Sequence, residues 1–391
     1  MSDLLLRDAL IPGADSPADL LVRDGVVAAT GRGAAADGVP AEDLGGKLLL
    51  PGFVDAHAHV DKTLWGGPWV PHTAAPGLAA KIRNGVERRA ELGLPSADHI
   101  TALLGQMIVS GTTHVRTHVD VDTVMGLAAV EAVREALARL DGRITAELVA
   151  FPQAGLLTRP GTAELMGRAL AAGVELVGGI DPAGLENDPV EHLDVVFGLA
   201  EEHGSGVDIH LHDGGALGAW QFELIIDRAL AASARVNISH GFALGEAPQP
   251  VQDRLVARLA EAGVTLTTVA PSSAPSLPLA ALREAGVAVG AGNDGVRDLW
   301  SPYGTGDMLE RALFLAQRAR FVRDEEIGIA LEAATTGGAR VTGRRAGYAP
   351  GDPGDFVVVA ARTPAEAVCV RPVRSLVVKA GRVVARDGHL V

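Results

Sequence analysis

Short apolar runs alternate with longer amphipathic segments through the middle of the chain. Eight apolar runs are predicted strands, and they cover residues 48–59, 113–121, 144–153, 174–181, 206–213, 235–242, 264–272 and 287–294. Segments with helical period lie between them, as at 126–140 and 251–263. This alternation is typical of parallel strands joined by helices. Eight successive units predict a closed (β/α)8 TIM-type barrel, with an open doubly wound sheet as the alternative.

The two ends of the chain have a different pattern. Residues 1–50 and 346–391 contain short apolar runs separated by turn-like Gly and Asp, with little helical period. Such runs indicate antiparallel hairpins. The simplest arrangement pairs both termini in one small unit. The sequence therefore predicts an α/β protein with a β-sandwich domain from residues 1–50 plus 346–391 and a barrel domain from 51–345.

Composition excludes several classes of protein. The 391 residues include one cysteine, Cys369, so an internal disulfide is excluded. The formal net charge of −14 argues against a nucleic-acid partner and an anionic membrane surface. The chain shows neither a signal-peptide pattern nor an apolar stretch long enough to span a bilayer. We therefore expect a cytoplasmic protein with a small-molecule substrate, and we leave a homo-oligomer open.

Reactive side chains follow most of the predicted strands. In a barrel of this kind the active site lies at the carboxyl ends of the strands. His57 and His59 are two residues apart, so both imidazoles lie on one side of the first strand and can bind one metal ion. His210 and Asp294, at the ends of the fifth and eighth strands, add a nitrogen and a carboxylate. This set suits one divalent metal ion per chain, Zn²⁺ or Fe²⁺.

Several segments resemble the amidohydrolase superfamily. PGFVDAHAHVDKT resembles its metal-binding opening. Segments that resemble the cytosine deaminase branch are RTHVDVD (116–122), VAFPQAG (149–155), DIHLHD (208–213), ISHGF (238–242) and GNDGVRDLWSPYGTGDM (292–308). GGIDPAGLEND (178–188) and the HLHD form favour the N-isopropylammelide isopropylaminohydrolase sub-branch, which acts on s-triazine side chains. The resemblance covers essentially the whole chain.

The resemblance implies roles for individual residues. It implies the metal ligands His57, His59, His210 and Asp294. It also implies that His240 transfers a proton or orients the reacting water, together with Asp294. Asp213 matches a proton-shuttling acid, Gln153 a residue that hydrogen-bonds the heterocycle, and Trp300 an aromatic side chain of the pocket.

Two positions depart from the pattern expected of cytosine deaminases. Asp213 stands where Glu is expected, and Gly295 stands where a second Asp is expected. The shorter acid changes the position of the proton donor, and the glycine removes a partner for a substrate N–H. Both changes argue against cytosine itself and favour a differently substituted ring.

Lysine is rare, and its positions bear on the number of metal ions. Lys occurs only at 47, 62, 81 and 379. Two-metal members of the superfamily resemble one another in using a carboxylated Lys at the end of strand 4, where this chain reads VELVGGID. One metal ion is therefore expected, and hydrolysis of a lactam ring is disfavoured.

Further polar residues lie near the predicted mouth of the barrel, and most of them have two possible roles. Lys62 is either a solvated surface residue or a cation that binds the substrate. Asp181 either caps a helix before Pro182 or binds a substrate N–H. His118 and Asp120 either orient a ligand histidine or have a structural role. His212 lies on the same side of its strand as His210 and is a predicted substrate contact.

The predicted function is hydrolysis of an exocyclic C–N bond of an amino-substituted N-heterocycle of the pyrimidine or s-triazine type. The predicted enzyme is a mononuclear metal-dependent deaminase that releases ammonia. The alternative is the same machinery releasing an alkylamine from a side chain. A barrel without catalytic activity is disfavoured, because the four ligands, His240 and Asp213 are all present.

Overall fold

The computed structural model describes residues 3–31, 34, 38–271 and 274–391. The amino-terminal part forms a four-stranded sheet, in which β1 lies between β2 and β4 and β3 lies at the edge. Its strands are β1 (Leu4–Ala9), β2 (Ala18–Arg23), β3 (Val26–Gly31) and β4 (Ala41–Asp43). A further strand, β5 (Leu48–Pro51), leads from this region toward the centre of the molecule.

Eight parallel strands follow, and each pairs with the next along the chain. They are β6 (Phe53–Ala58), β7 (Thr112–Asp120), β8 (Thr145–Phe151), β9 (Leu176–Ile180), β10 (Gly206–Leu211), β11 (Val236–His240), β12 (Thr265–Thr268) and β13 (Val289–Ala291). The first and last strands meet through a parallel bridge between Ala58 and Asp294. Asp294 N donates to His57 O over 2.9 Å, and His59 N donates to Asp294 O over 3.2 Å. The predicted barrel is confirmed.

Helices connect the strands and cover the barrel. They are α1 (Leu78–Arg88), α2 (Ala97–Val109), α3 (Ala128–Arg139), α4 (Thr162–Ala171), α5 (Pro189–His203), α6 (Gly215–Ala231), α7 (Phe242–Glu246), α8 (Gln249–Ala262), α9 (Leu279–Glu284), α10 (Met308–Arg318), α11 (Asp324–Ala333) and α12 (Thr336–Val341). Helix α3, for example, buries Ala129, Val130, Val133 and Ala136, at helical spacing. No helix among the described residues is long and apolar enough to cross a membrane.

The carboxyl-terminal part returns to the first region of the chain. It forms β14 (Phe356–Val359), β15 (Arg374–Lys379), β16 (Arg382–Arg386) and β17 (His389–Leu390), with the helix α13 (Pro364–Val370) after β14. These strands and β5 make one five-stranded sheet. Leu6 and Leu20 of the first sheet share a buried cluster with Leu49 and Phe356 of this sheet. The two termini therefore pack together as a β-sandwich, as predicted.

Two expectations need correction. The run 48–59 is two strands, because the chain leaves the terminal sheet at Pro51 and enters the barrel at Phe53. Gly52 allows this passage, since a Cβ there would lie 2.4 Å from Thr113 Oγ1. The carboxyl-terminal segment also contains α13, although its pattern showed little helical period. The division at 1–50, 51–345 and 346–391 stays a prediction, and residues 1–2, 32–33, 35–37 and 272–273 lie outside the described residues.

Candidate active site

The predicted metal ligands meet at the carboxyl ends of the barrel strands. His59 Nε2 lies 3.2 Å from His210 Nε2. Asp294 Oδ1 lies 3.4 Å from His59 Nε2 and 3.7 Å from His57 Nε2. Two ligand atoms bound tetrahedrally to one zinc ion are about 3.3 Å apart. The spacing of these donor atoms fits one divalent ion.

The hydrogen bonding of the imidazoles supports the same interpretation. Among the described residues, His57 Nε2 is buried without a hydrogen-bond partner, and His59 Nε2 has His210 Nε2 as its neighbour. Buried polar atoms normally have a partner, so the nitrogens that converge here fit the coordination of a metal ion. Burial lowers the pKa of His59 and of His210 well below the ordinary value. Neutral imidazole is the form that binds a metal ion.

His118, which the sequence interprets as an orienting or a structural residue, belongs to the same cluster of donor atoms. One of its ring nitrogens and one from each of His57, His59 and His210 lie within 4.8 Å of one another. Its Nε2 is 3.3 Å from Asp208 Oδ1. Burial lowers the pKa of His118 to about 4. The strand register explains this placement. Thr117 on β7 pairs with Ala58, which lies between His57 and His59, so His118 is brought next to both histidines.

Backbone geometry at the strand ends is unusual. Asp181, His240 and Asp294 have φ angles of 34°, 69° and 61°. Residues other than glycine adopt this left-handed region rarely, and such residues concentrate at functional sites. Close packing also requires Gly292, since a Cβ there would lie 2.4 Å from His57 O. The backbone of the β13 end is therefore fitted closely to the first histidine.

His240 is buried beside this cluster. Among the described residues, neither of its ring nitrogens has a hydrogen-bond partner. Burial lowers its pKa well below the ordinary value. His240, His57 and Asp294 form a second set of donors within 4.8 Å of one another. A neutral imidazole next to the ligand set can accept a proton from a reacting water.

Lys62 is held inside the site, so the surface interpretation of this residue is wrong. It ends a short 3₁₀ turn (Val60–Lys62) that follows His59. Its Nζ donates to Asp120 Oδ1 over 2.9 Å and to Gln153 Oε1 over 2.6 Å. Burial alone would lower the pKa of Lys62, but the charges of Asp120 and Asp61 raise it above the ordinary value. Lys62 is therefore a cation, 5.7 Å from the ring centroid of Trp300.

Asp181 holds His212 and is not a helix cap. Its Oδ2 lies 2.7 Å from His212 Nδ1, and its Oδ1 accepts from His212 N over 2.6 Å. Burial alone would lower the pKa of His212, but the charge of Asp181 and this hydrogen bond raise it. Asp213, the next residue, has different hydrogen-bond partners. Its Oδ2 accepts from Gly184 N and from Gln221 Nε2, each over 2.8 Å.

A wide cavity opens above the histidines. Predicted site residues among those that line it are His59, Lys62, Gln153, His210, His212, His240, Asp294 and Trp300. Asp298, which the sequence did not single out, also lines it. This carboxyl accepts from Trp300 N and Ser301 N, each over 2.7 Å, and burial raises its pKa to about 6. A Cβ at Gly295 would lie 1.9 Å from Asp298 Oδ2.

Comparison with known families agrees with this geometry. A family model described as the amidohydrolase family matches residues 94–385. The chain belongs to the amidohydrolase family. The N-isopropylammelide isopropyl amidohydrolase of Pseudomonas sp. strain ADP is 32% identical over the full length of this chain and 98% of its own. This amidohydrolase is therefore a hydrolase of C–N bonds.

Two solved structures extend the comparison. The N-isopropylammelide isopropylaminohydrolase of Burkholderia multivorans is 45% identical, with a TM-score of 0.95 and full coverage of both chains. The 5-methylcytosine deaminase of Klebsiella pneumoniae, liganded with 5-fluorocytosine, is 25% identical with a TM-score of 0.84. That alignment covers 98% of this amidohydrolase and 97% of the deaminase.

Proposed function

We propose that this amidohydrolase uses one metal ion, Zn²⁺ or Fe²⁺, to hydrolyse an exocyclic C–N bond of an amino-substituted N-heterocycle. The observation that carries the proposal is the convergence of three imidazole nitrogens and one carboxylate at the mouth of the barrel: His59 Nε2 lies 3.2 Å from His210 Nε2, and Asp294 Oδ1 lies 3.4 Å from His59 Nε2 and 3.7 Å from His57 Nε2. His57, His59, His210 and Asp294 are the proposed ligands. A metal bound there supplies hydroxide at neutral pH, because coordination lowers the pKa of water from about 15.7 toward 7.

His240 and Asp294 are the proposed acceptors of the proton released by the water. Burial keeps His240 neutral, so its ring can take up a proton. Burial alone would raise the pKa of Asp294, but the adjacent imidazole of His57 lowers it well below its ordinary value. Asp294 is therefore an acceptor across the neutral range. Such proton transfer contributes about 10²–10⁴-fold to the rate.

The departing amine needs a proton, and two neighbouring residues are candidates for the donor. The resemblance implies Asp213. The hydrogen bonds of Asp213 to Gly184 and Gln221 favour His212, which lines the cavity and is held by Asp181. We propose that the proton leaves from this side of the site, with His212 as the favoured donor.

The group of Lys62, Gln153 and Trp300, which also line the cavity, is proposed to bind the ring. The ammonium of Lys62 donates to Gln153 and to Asp120. Its third hydrogen is therefore available for a ring carbonyl or an anionic nitrogen of the substrate. Trp300 lies next to this pair, and its indole is the proposed stacking surface. Asp181 acts in this arrangement through His212.

The identity of the leaving group separates two versions of the proposal. A deaminase releases ammonia, and a side-chain hydrolase releases an alkylamine. Two relatives that match this chain over its whole length, at 32% and 45% identity, are both named for removal of an isopropylamine group. We therefore favour an N-alkylated s-triazine as the substrate, with an aminopyrimidine as the second candidate because of the likeness to a 5-methylcytosine deaminase.

The test is an assay of amine release with the protein loaded with Zn²⁺ or Fe²⁺. The substrates are N-isopropylammelide, ammelide, cytosine, isocytosine, 5-methylcytosine and creatinine, with ammonia and alkylamine detected separately. We expect isopropylamine from N-isopropylammelide and loss of this activity in His57→Ala. Ammonia from an aminopyrimidine, with N-isopropylammelide unchanged, would establish the deaminase version. A chain that binds metal but releases no amine from the panel would contradict the substrate class.

A further inference from the structure

A buried chain of polar side chains runs beneath the histidine cluster. Ser239, on β11, is fully buried, and its Oγ lies 2.9 Å from His57 Nδ1. The same Oγ donates to Asp208 Oδ1 over 2.6 Å. Asp208, on β10, is also fully buried. Arg116, on β7, reaches the other oxygen of Asp208 with its Nη1 over 3.0 Å. Three strands thus contribute to one contact on His57.

The hydrogens available in this network of side chains determine which atom donates in each hydrogen bond. Arg116 Nη1 and Asn237 Nδ2 donate to Asp208 Oδ2, each over 3.0 Å, and His118 Nε2 lies 3.3 Å from Asp208 Oδ1. Donors and a cation thus surround Asp208, so it is a carboxylate that accepts from its neighbours. Ser239 has one hydroxyl hydrogen, and it donates this hydrogen to Asp208 Oδ1. Ser239 Oγ can then only accept from the nitrogen of His57.

The consequence concerns the opposite face of the His57 ring. A hydrogen on Nδ1 leaves the lone pair of a neutral imidazole on Nε2. This Nε2 is the atom that faces Asp294, at 3.7 Å, and it has no partner among the described residues. The nitrogen that the metal site needs as a lone-pair donor is therefore the one that the network leaves unprotonated.

We propose that Ser239 and Asp208 are positioning residues that hold His57 in its Nδ1–H tautomer, with Nε2 directed at the metal site. Arg116 supplies the positive charge that balances Asp208 inside the barrel. This inference rests on the proposed function, because it assumes that His57 is a metal ligand. The added point is that the hydroxyl of Ser239 strengthens metal binding through His57, although it contacts neither the metal nor the substrate.

The experiment compares Ser239→Ala with Thr267→Val. Thr267 Oγ1 lies 2.8 Å from Ser239 Oγ, so the control variant removes a hydroxyl from the same buried network but leaves the bond between Ser239 and His57. Metal-free protein is titrated with Zn²⁺ in competition with a chromophoric chelator. We expect zinc binding about 10–100-fold weaker in Ser239→Ala and less than about threefold weaker in Thr267→Val.

A second measurement reads the tautomer directly. Protein labelled with ¹⁵N-histidine is compared in long-range proton–nitrogen spectra, with His57→Ala to assign the signals. The metal-free wild type should show the Nδ1–H pattern for His57, and Ser239→Ala should lose it. Ser239→Cys, which places a weaker hydrogen-bond acceptor at the same position, should bind zinc with an intermediate affinity and covers the case in which Ser239→Ala fails to fold.

The outcomes separate this inference from the proposed function. Wild-type zinc affinity in Ser239→Ala, or an equal loss in Thr267→Val, overturns the positioning role and leaves the metal-dependent hydrolase in place. A His57 ring with hydrogen on Nε2 in the wild type also overturns it. A wild-type chain that binds no divalent metal overturns both proposals.

Discussion

His212 stacks on His240, with the centroids of the two imidazole rings 4.2 Å apart and their planes at 29°. The two rings differ in proton affinity, since Asp181 raises the pKa of His212 against the effect of burial, whereas burial lowers the pKa of His240. The imidazole that is protonated more readily therefore lies beside a neutral one at the mouth. This pairing suits a reaction that takes a proton from water and gives one to an amine.

The first prediction separates His212 from its neighbour Asp213. His212→Asn should lower kcat by about 10²–10⁴-fold, because it removes the proposed proton donor. Asp213→Asn should lower kcat by less than about tenfold, because the amide oxygen can still accept from Gly184 N. Both variants should bind one metal ion per chain by elemental analysis. The reverse order of the two rate losses would assign the donor to Asp213.

The second prediction concerns stacking by Trp300. Trp300→Ala should raise KM for a planar heterocycle about tenfold and change kcat less, since stacking of a base on an aromatic ring contributes about 1–3 kcal/mol. Trp220→Ala is the matched control, because the side chain of Trp220 lies 47% exposed on α6. Steady-state kinetics of both variants supply the measurement. An unchanged KM in Trp300→Ala removes this indole from the binding surface.

The strands and the convergence of His57 and His59 with His210 and Asp294 could be predicted because their signals are local. A period of two places His57 and His59 on one side of β6, and polar residues at strand ends converge in a closed barrel. The pairing of Asp181 with His212 could not be predicted, because it depends on side-chain directions in two loops 31 residues apart. The break between β5 and β6 at Gly52 also depends on distant residues. The apolar run continues through Gly52 in the sequence, and the change of sheet depends on the close approach of Thr113.

The third prediction tests the contact between Gly295 and Asp298. A methyl group at 295 would lie 1.9 Å from Asp298 Oδ2, so Gly295→Ala must displace this carboxylate and the backbone at Trp300 that it holds. We expect a KM increase of at least about tenfold with metal content unchanged. Gly328→Ala is the control, since nothing lies within 4 Å of a Cβ there. It lies within α11, so alanine should stabilise the helix by about 1 kcal/mol.

The fourth prediction concerns stability against pH and uses a histidine away from the predicted site. His192, on α5, is fully buried and its Nε2 accepts from Ile180 N over 3.3 Å. Burial lowers its pKa from 6.5 to about 4. A lowered pKa in the folded state stabilises the protein above pH 6.5, and this contribution is lost as the pH falls from 6.5 toward 4. The loss amounts to roughly 3 kcal/mol.

His192→Gln removes this titration while keeping an acceptor for Ile180 N. The free energy of unfolding in urea, measured at pH 7.5 and pH 4.5, should therefore fall less between the two values in the variant than in the wild type. His389→Gln, at an exposed position of β17, should behave as the wild type does. Equal pH slopes for His192→Gln and the wild type would contradict the assignment.

The last prediction concerns the charge at the centre of the barrel. Arg116 is 1% exposed and lies 2.7 Å from Glu147 Oε2 and 3.0 Å from Asp208 Oδ2. Arg116→Met leaves two carboxylates buried without this cation, so unfolding in urea should require about 3–5 kcal/mol less free energy. Arg116→Lys should recover only part of this loss, because one ammonium cannot reproduce the bonds of a guanidinium to both acids and to Val341 O. Arg139→Met removes an exposed ion pair and should cost less than about 1 kcal/mol. Equal losses at 116 and 139 would show that the buried cation does not stabilise the barrel.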